Sequence, residues 1–316
     1  MKVLSLFDGI SCGMVALERA NIPVERYVAY EYDEETANKD PYKPYGVAAF
    51  VGSYNYPMIE QKGNVFEGDF SQYKGFDLLI GGSPCTYWSI AKAGKNRETT
   101  SSGLGFDLFM QYVRALKEAK PKYFLYENNE SMSDEIKEEI TKQLGVQPIM
   151  IDSVDFSAQI RKRYYWTNIP VLLNYTPKDL KIEDIIFDDT YQNKNFDKYA
   201  NTQIIAKDEK SVKWDSSGKG YYSQQNRARA KCLKMNTVTA RGRDKCNIWL
   251  GGTKYRYIHP IEAERLQTLP DDYTSILKSD AQRIKAIGNG WTVDVIAFIF
   301  SFIPDVSLCT QSRGVV

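Results

Sequence analysis

Short apolar runs alternate with segments of helical periodicity through the first half of the chain, which limits the folds open to it. Seven runs have the length of β-strands, at residues 3–7, 25–30, 64–67, 76–80, 122–126, 148–154 and 163–169. Helical spacing lies between them, most clearly at residues 106–119 and 134–144. Strands that alternate with helices favour an α/β fold, in which helices wrap a parallel sheet.

Five polar residues lie at or just beyond the ends of predicted strands. They are Asp8, Glu31, Asp69, Cys85 and Glu127. Parallel sheets bind their ligands outside the carboxyl ends of the strands. We therefore expect these five side chains to line one edge of the sheet.

The turn from Asp8 to Gly13 joins the first strand to a helix, where backbone N–H groups favour an anion or a carboxylate. The turn lacks the pattern G-x-G-x-x-G, so alone it is also consistent with an ordinary tight turn. Glu31 follows about 20 residues later, the spacing at which an acid binds ribose hydroxyls. Asp69 could accept a hydrogen bond from an adenine amino group. Together they indicate an adenosine-bearing cofactor; the alternative is acids solvated at the sheet edge.

Cys85 follows Pro84 in the glycine-rich segment 81–89. A free cysteine is more often a small buried residue than a nucleophile. Pro84 stiffens this loop, however, and the glycines before it let a ligand approach the backbone. A reactive thiol also needs an acid to complete its reaction, and Glu127 ends the adjacent predicted strand. A helix-capping role for Glu127 is the alternative.

The remaining chemistry-bearing residues are few. Gln159, Arg161 and Arg163 alternate, so an extended segment would place them on one face as an anion clamp or as a solvated strand edge. The chain has one histidine, which limits imidazole chemistry, and five cysteines without a C-x-x-C pair, which disfavours a disulfide framework or a zinc site. We predict no metal.

The second half of the chain has a different character. Residues 171–200 are irregular and acidic, whereas residues 213–245 contain nine Lys and Arg against two Asp. Glycine, glutamine and asparagine lie among these charges, which favours nucleic-acid contact over a plain solvated face. We interpret residues 171–254 as an insertion or small second domain with one basic face.

In their order along the chain, these motifs resemble those of DNA (cytosine-5)-methyltransferases of the bacterial or phage type, over residues 1–302. The matching segments are FDGISCG at residues 7–13, Glu31, Asp69, Pro84-Cys85, Glu127-Asn128, the Gln159–Arg161–Arg163 pattern, residues 256–270 and residues 288–293. Each match is weak alone, and the ordered set is specific. Trp291 and residues 163–166 are similar to the animal de novo branch.

The resemblance implies a Rossmann-like fold of S-adenosyl-L-methionine-dependent methyltransferases. That fold has a mostly parallel seven-strand sheet with helices on both faces and a smaller target-recognition domain. We expect a catalytic and cofactor-binding domain at 1–170, a target-recognition region at 171–254 and a C-terminal segment at 255–316 that returns to the catalytic domain.

The resemblance also implies site residues. The catalytic set is Cys85, Glu127, Arg161 and Arg163. The S-adenosyl-L-methionine set is Phe7, Asp8, Gly9, Ile10, Ser11, Gly13, Glu31, Tyr32, Asp69, Phe70, Ser83, Pro84, Leu108, Asn289, Gly290 and Trp291. Candidates for contact with double-stranded DNA are Ser89, Arg227, Arg229, Lys231, Arg241 and Arg243. A flipped cytosine would form a covalent Cys85–C6 adduct before methylation at C5.

Two residues depart from the usual family pattern, Thr86 after Pro-Cys and Asn129 after Glu-Asn. Neither removes a catalytic atom, so we expect an active enzyme.

 The alternatives are a tRNA cytosine-5 methyltransferase, a non-catalytic DNA-binding relative and a dinucleotide-dependent oxidoreductase, although the last should show G-x-G-x-x-G at the first turn. A paired restriction endonuclease is a further expected partner.

The amino terminus lacks a signal-peptide layout, and the apolar segment 295–303 is too short to span a bilayer. We therefore expect a protein of the bacterial cytoplasm, or of a phage-infected cell, with no membrane partner.

Overall fold

The computed structural model divides the chain into two compact units. The first unit comprises Met1–Ile151, Lys162–Asn174 and Val295–Val316, and the second comprises Asp152–Arg161 and Tyr175–Asp294. The structure describes residues 1–89, 97–191, 193–195, 203–207, 210–215, 227–240 and 246–304. Within these described residues, no helix is long and apolar enough to cross a membrane.

The first unit is built on a seven-stranded sheet. Its strands are β1 (Lys2–Leu6), β2 (Arg26–Tyr30), β3 (Glu60–Gln61), β4 (Leu78–Gly81), β5 (Tyr123–Asn129), β6 (Ile149–Asp152) and β7 (Lys162–Thr167), in the order β3-β2-β1-β4-β5-β7-β6. β1, β2, β3, β4 and β5 pair in parallel, and β7 runs antiparallel to β5. This architecture confirms the predicted α/β, Rossmann-like, mostly parallel seven-strand sheet.

Eight helices accompany the strands among the described residues. They are α1 (Cys12–Arg19), α2 (Glu34–Ala37), α3 (Val47–Asn55), α4 (Leu104–Ala119), α5 (Asp134–Leu144), α6 (Pro260–Leu266), α7 (Asp280–Asn289) and α8 (Val293–Phe300). α4 and α5 cover the predicted segments 106–119 and 134–144. Phe109 and Tyr112 of α4 are fully buried in the core, where their rings pack on Tyr126 of β5.

The third strand was predicted in the wrong place. Residues 64–67, expected to be extended, contain a 3₁₀ turn at Val65–Glu67, and the strand lies earlier, at β3. The Asn64 side chain accepts a hydrogen bond from the backbone of Phe66, and Asp69 does the same with Ser71. Asn and Asp favour turns because they bond to the backbone two residues later.

The fifth strand is longer than predicted. The polar residues Glu127, Asn128 and Asn129 were expected to follow the strand, but they continue it. β7 extends the pairing, with Glu127 opposite Tyr165 and Asn129 opposite Arg163. All three polar residues are consequently buried inside the sheet rather than placed in a loop.

The second unit contains a six-stranded sheet. Its strands are β8 (Asn193–Asn195), β9 (Gln203–Lys207), β10 (Ser211–Asp215), β11 (Arg227–Arg229), β12 (Asn247–Gly251) and β13 (Lys254–Tyr257), in the order β8-β13-β12-β11-β10-β9. Val212, Trp214, Ala228 and Tyr255 form a small apolar core on it.

The two compact units depart from the predicted boundaries in three places: residues 152–161 and 255–294 group with the second unit, and residues 171–174 group with the first. Long-range hydrogen bonds explain this grouping. The Gln159 amide donates to the Leu266 carbonyl at 2.5 Å, and the Ser153 hydroxyl donates to Thr292 at 2.8 Å. Neither bond is visible in the local sequence pattern.

Candidate active site

Strand register in the first unit gathers the predicted site at one edge of the sheet. Tyr30, Leu6, Gly81 and Tyr126 form one row across β2, β1, β4 and β5. The next residue along each strand is therefore at the same edge. These residues are Glu31, Phe7, Gly82 and Glu127. The sheet thus brings the turn at Asp8, the Glu31 carboxylate, the Cys85 loop and the Glu127 carboxylate to a common edge.

The turn after β1 has an unusual backbone. Phe7, Gly9 and Ser11 all have positive φ, at 57°, 61° and 61°. The Asp8 carboxylate holds this turn together, because it accepts hydrogen bonds from the hydroxyls of Ser5, Ser11 and Tyr27 at 2.5–2.6 Å. Burial raises the pKa of Asp8, although these bonds oppose the rise. The Asp8 side chain therefore braces the turn from within.

Glu31 closes the same turn from the neighbouring strand. Its Oε2 accepts a hydrogen bond from the Gly9 N–H at 2.9 Å. Burial raises the pKa of Glu31 to about 7, the Gly9 bond opposes this rise, and the charges of Asp8 and Asp33 add to it. A Cβ placed on Gly9 would meet no atom within 4 Å, so the backbone here faces open space. A ligand can approach this backbone closely.

Asp69 and Phe70 were predicted to contact the same ligand, and they lie in different surroundings. Asp69 is exposed, and its Oδ1 accepts hydrogen bonds from the backbone and the hydroxyl of Ser71, which lower the pKa of Asp69. Phe70 is fully buried, with its ring 5.2 Å from that of Tyr30. The Phe70 side chain packs in the core and its N–H donates to Glu118 at 3.1 Å, so neither the ring nor the N–H is open to a ligand.

The other predicted cofactor residues of the first unit are divided by exposure. Ile10 and Gly13 are buried at the start of α1, Leu108 is half-buried on α4, and Tyr32 is exposed just beyond β2. Tyr32 is therefore the one of these four whose side chain is open to solvent.

Cys85 lies in a turn that is anchored on both sides. Pro84, with φ of −52°, leads into a 3₁₀ turn at Cys85–Tyr87, and the Cys85 side chain is half-buried. The Cys85 carbonyl accepts hydrogen bonds from the backbone N–H groups of Trp88 and Ser89, at 3.2 and 3.0 Å. Thr86 is exposed in this turn, and nothing in the structure explains its departure from the family pattern.

β5 holds the residues on either side of Pro84. Asn128 donates from its amide to the Ser83 carbonyl at 3.0 Å, and Asn129 donates to the Cys85 carbonyl at 3.2 Å. The Ser83 hydroxyl lies 2.7 Å from that of Tyr126. The turn that presents Cys85 is thus fixed to the strand that carries Glu127.

Sequence reasoning missed a second anchor of this turn. Trp88 is fully buried and donates from its ring nitrogen to Glu98 at 3.2 Å. Glu98 also accepts from the N–H of Gly105 at the start of α4, and Arg97 donates to the Trp88 carbonyl at 2.9 Å. The aromatic residue three positions after Cys85 was the only local signal for this anchor.

Glu127 and Arg163 form an ion pair at the sheet edge. Arg163 Nε lies 2.9 Å from Glu127 Oε1, and the side chains are 13% and 11% exposed. They lie diagonally opposite on β5 and β7, because Glu127 pairs with Tyr165 and Asn129 pairs with Arg163. A partly buried carboxylate beside a guanidinium is a fixed hydrogen-bonding group for a polar heterocycle.

Arg161, predicted to act with Arg163, has a different environment in the second unit. It is 5% exposed, and its guanidinium donates to the carbonyls of Val238, Gly288 and Gly290. These contacts use both terminal nitrogens to hold the backbone. The Arg161 guanidinium is thus bonded to backbone carbonyls of its own unit, and the catalytic role that the resemblance implies for it stays a prediction.

Asn289, Gly290 and Trp291 lie at the end of α7 in the second unit. Asn289 is exposed, Gly290 is buried and Trp291 is half-buried. The Gly290 carbonyl also accepts a hydrogen bond from Gln267 at 3.0 Å. Their predicted contact with the cofactor remains a prediction.

The candidate DNA-contacting residues lie mainly on and after β11. Arg227 and Arg229 are half-buried and share one face of this strand, while Ala228 faces the core. Arg229 donates to Asn236 at 3.3 Å, and Lys231 pairs with Asp189 at 2.6 Å. Arg241 and Arg243 lie outside the described residues.

Comparisons with known proteins all find methyltransferases. The family profile of C-5 cytosine-specific DNA methylases matches residues 1–304. The type II methyltransferase M.NgoPII of Neisseria gonorrhoeae is 27% identical over 348 residues, which cover 93% of this chain and 93% of that enzyme. M.FnuDI of Fusobacterium nucleatum, also a type II methyltransferase, is 26% identical and covers 96% and 94%.

The orphan methyltransferase M.SPRI of Bacillus phage SPR is 35% identical over 128 residues, which is 40% of this chain. The match spans only 26% of that phage enzyme. Among solved structures, the Entamoeba histolytica methyltransferase EhMeth has a TM-score of 0.68 at 16% identity and covers 96% of this chain and 98% of its own. S. pombe Dnmt2 has a TM-score of 0.62 at 13% identity and covers 100% of both. These structural likenesses establish the fold.

Proposed function

The chain belongs to the C-5 cytosine-specific DNA methylase family, and we propose that it methylates cytosine at C5 in double-stranded DNA with S-adenosyl-L-methionine as methyl donor. One observation carries the proposal. A cysteine on a stiff turn is hydrogen-bonded to the strand whose Glu127 carboxylate pairs with Arg163. This arrangement offers a thiol nucleophile and a group that can bind a protonated ring nitrogen, without any histidine.

The residues of the first unit fit the cofactor. Gly9 faces open space, so a bulky group can lie against the turn. Glu31 offers a carboxylate to ribose hydroxyls at the end of β2, and the exposed Asp69 offers one to an adenine amino group. When bound, S-adenosyl-L-methionine supplies a methyl group that is electrophilic because its sulfur is positively charged.

The reaction follows from what each side chain does to the cytosine ring. Glu127, oriented by Arg163, holds a proton at N3, which makes C6 electrophilic. The Cys85 thiolate forms a bond to C6, and the displaced electrons make C5 a carbon nucleophile. After methylation C5 loses its proton to solvent, and N3 returns its proton to Glu127. The C5–H electron pair restores the C5–C6 double bond as the C6–S bond breaks and the thiolate returns.

The target base is inaccessible inside a stacked duplex, so the enzyme must flip it out. Arg227 and Arg229 of β11, with Arg241 and Arg243, are the proposed contacts to phosphates or guanine edges, and Lys231 and Ser89 are further candidates. The type II methyltransferases among the relatives support a role in DNA modification, with a restriction endonuclease as the proposed partner.

The test measures transfer of labelled methyl groups to duplex DNA, followed by bisulfite sequencing. Wild type should produce 5-methylcytosine at a defined sequence, and Cys85→Ala should produce none. Cys232→Ala is the matched control, because Cys232 is an exposed cysteine of the second unit. Methylation that persists in Cys85→Ala would overturn the mechanism.

Two further experiments test the DNA substrate against tRNA and test the covalent Cys85 adduct. tRNA supplied beside duplex DNA should remain unlabelled, whereas preferential labelling of tRNA would replace the proposed substrate. Duplex DNA with 5-fluorocytosine at the target should form a stable covalent complex, because the C5 fluorine cannot leave as a proton. The absence of that complex, in an enzyme that methylates ordinary DNA, would exclude the Cys85 adduct.

A further inference from the structure

Two consecutive asparagines of β5 hold the two carbonyls on either side of Pro84. Successive residues of a strand face opposite sides of the sheet. Asn128 nevertheless reaches the Ser83 carbonyl, and Asn129 reaches the Cys85 carbonyl, at 3.0 and 3.2 Å. Asn129 is the residue that departs from the Glu-Asn-Val pattern, so the second amide is a feature of this chain.

The hydrogen bond from Asn129 is the one that ties the Cys85 peptide to the sheet. The Cys85 carbonyl already accepts from the N–H groups of Trp88 and Ser89. Both of those donors belong to the same local turn, which Trp88 and Glu98 connect to α4 and not to β5. Without Asn129 the carbonyl would still be satisfied, but no longer attached to β5.

The Asn129 amide is costly where it lies. A carbonyl can only accept, so the NH₂ group of Asn129 must face Cys85. Its Oδ1 is then left without a hydrogen-bond donor among the described residues, although the side chain is only 4% exposed. A buried acceptor without a partner destabilises the folded state, and an apolar side chain of similar size would not.

We propose that Asn129 is a positioning residue, whose amide fixes the Cys85 turn against the strand that carries Glu127. Asn129 and Glu127 share one face of β5, and Asn129 lies opposite Arg163. One strand thereby sets the distance between the nucleophile and the acid. The role in catalysis rests on the proposed function, whereas the attachment of the turn does not.

The decisive variant is Asn129→Val, in the full chain. Valine is β-branched and suits a strand, and it removes both the donor to Cys85 and the unpaired Oδ1. The methylation rate at saturating substrates should fall about tenfold or more, because small misplacements of reacting groups are expensive. The KM for S-adenosyl-L-methionine and the thermal midpoint should not fall.

Asn168→Val is the matched control, because Asn168 follows β7 and holds the opposite end of β5. Asn168 donates to the Lys122 carbonyl and accepts from the Phe124 N–H, both at 2.9 Å. This variant should lower the thermal midpoint and leave the methylation rate within twofold. A purely structural role for Asn129 would instead make the two variants behave alike, and that result would overturn the proposal.

A second readout does not depend on methylation. Mass spectrometry of iodoacetamide-treated protein gives the alkylation rate of Cys85 relative to the exposed Cys232. Loss of the bond from β5 to the Cys85 carbonyl should expose the thiol, so this ratio should rise several-fold in Asn129→Val. An unchanged ratio would overturn the proposal. The ratio could rise in a protein that methylates no DNA. That result would support the attachment of the Cys85 turn to β5 by Asn129 and would contradict the proposed function.

Discussion

Glu31 carries a carboxyl group that its surroundings have made a weaker acid. Burial is the main cause, and the charges of Asp8 and Asp33 add to it, so that the pKa rises from 4.5 to about 7. The folded protein consequently holds a proton between about pH 4.5 and 7 that the unfolded chain has released. The contribution of Glu31 to the free energy of unfolding is fully present below the unfolded pKa and is lost as the pH rises from about 4.5 through the folded pKa of about 7.

Glu31→Gln should remove this pH dependence. Glutamine keeps an acceptor for the Gly9 N–H and carries no charge. The thermal midpoint of the variant should therefore rise relative to wild type as the pH increases from 5 to 8. A difference between the two midpoints that is constant over this range would contradict the raised pKa.

The same titration bears on cofactor binding. An ionised Glu31 is the better acceptor for ribose hydroxyls, so the affinity of wild type for S-adenosyl-L-homocysteine should fall as the pH drops from 8 to 6. Titration calorimetry at several pH values measures this. In Glu31→Gln the affinity should be lower at pH 8 and nearly independent of pH.

Individual elements show what the sequence pattern can and cannot reveal. The apolar runs before Asp8 and Cys85 predicted β1 and β4 because buried parallel strands are continuous apolar segments. The strand predicted at residues 64–67 was wrong because the side chains of Asn64 and Asp69 bond to the local backbone. These bonds form turns at positions where the sequence pattern indicated a strand and its end. Glu127 and Asn129 were placed after β5 because polar residues usually end strands, and their burial depends on the distant β7.

The turn at Cys85–Tyr87 is connected to α4 through Glu98. Glu98 accepts from the buried Trp88 ring nitrogen and from the Gly105 N–H at the start of the helix. A Cβ on Gly105 would lie 2.6 Å from both the Glu98 carboxylate and the Tyr87 side chain, so the contact is tight. This link joins residues distant in sequence, and no local pattern predicts it.

Glu98→Ala should therefore destabilise both the Cys85–Tyr87 turn and the start of α4. It leaves two donors without their acceptor, and the cost is about 1–3 kcal/mol of unfolding free energy. Urea unfolding measures this cost. Glu135→Ala is the control and should cost much less, because the exposed Glu135 carboxylate accepts only from Ser101 within the part of the chain that the structure describes. Equal losses in the two variants would show that Glu98 does not anchor the turn.

At the scale of the whole molecule, the two units differ in how much of their structure could be predicted from the sequence. In the first unit, apolar strands such as β1 and β4 were predicted, whereas the two-residue polar β3 was not. The second contains strands as short as the three-residue β8 and β11, with polar residues along them. Buried ion pairs organise it, among them Arg256 with Glu262, both fully buried at 2.9 Å. Such pairs depend on tertiary contacts, so composition indicated only a basic region.

Binding of DNA by that basic region should be visible in its salt dependence. Each phosphate contact contributes about 0.9 to the slope of log K against log salt concentration for B-form DNA. Arg227, half-buried on β11, is one of the proposed phosphate contacts. Arg227→Gln should weaken duplex binding and reduce the slope by about 1.

Arg26→Gln removes the same charge from the first unit, where Arg26 on β2 is held by Glu60 at 2.6 Å, and it should leave the slope unchanged. Lys231→Gln should have an intermediate effect, because Lys231 already pairs with Asp189. Fluorescence anisotropy of labelled duplex across a salt series measures all three. Equal slopes for Arg227→Gln and Arg26→Gln would place the DNA elsewhere on the protein, because only a residue that neutralises a phosphate releases a counterion when DNA binds.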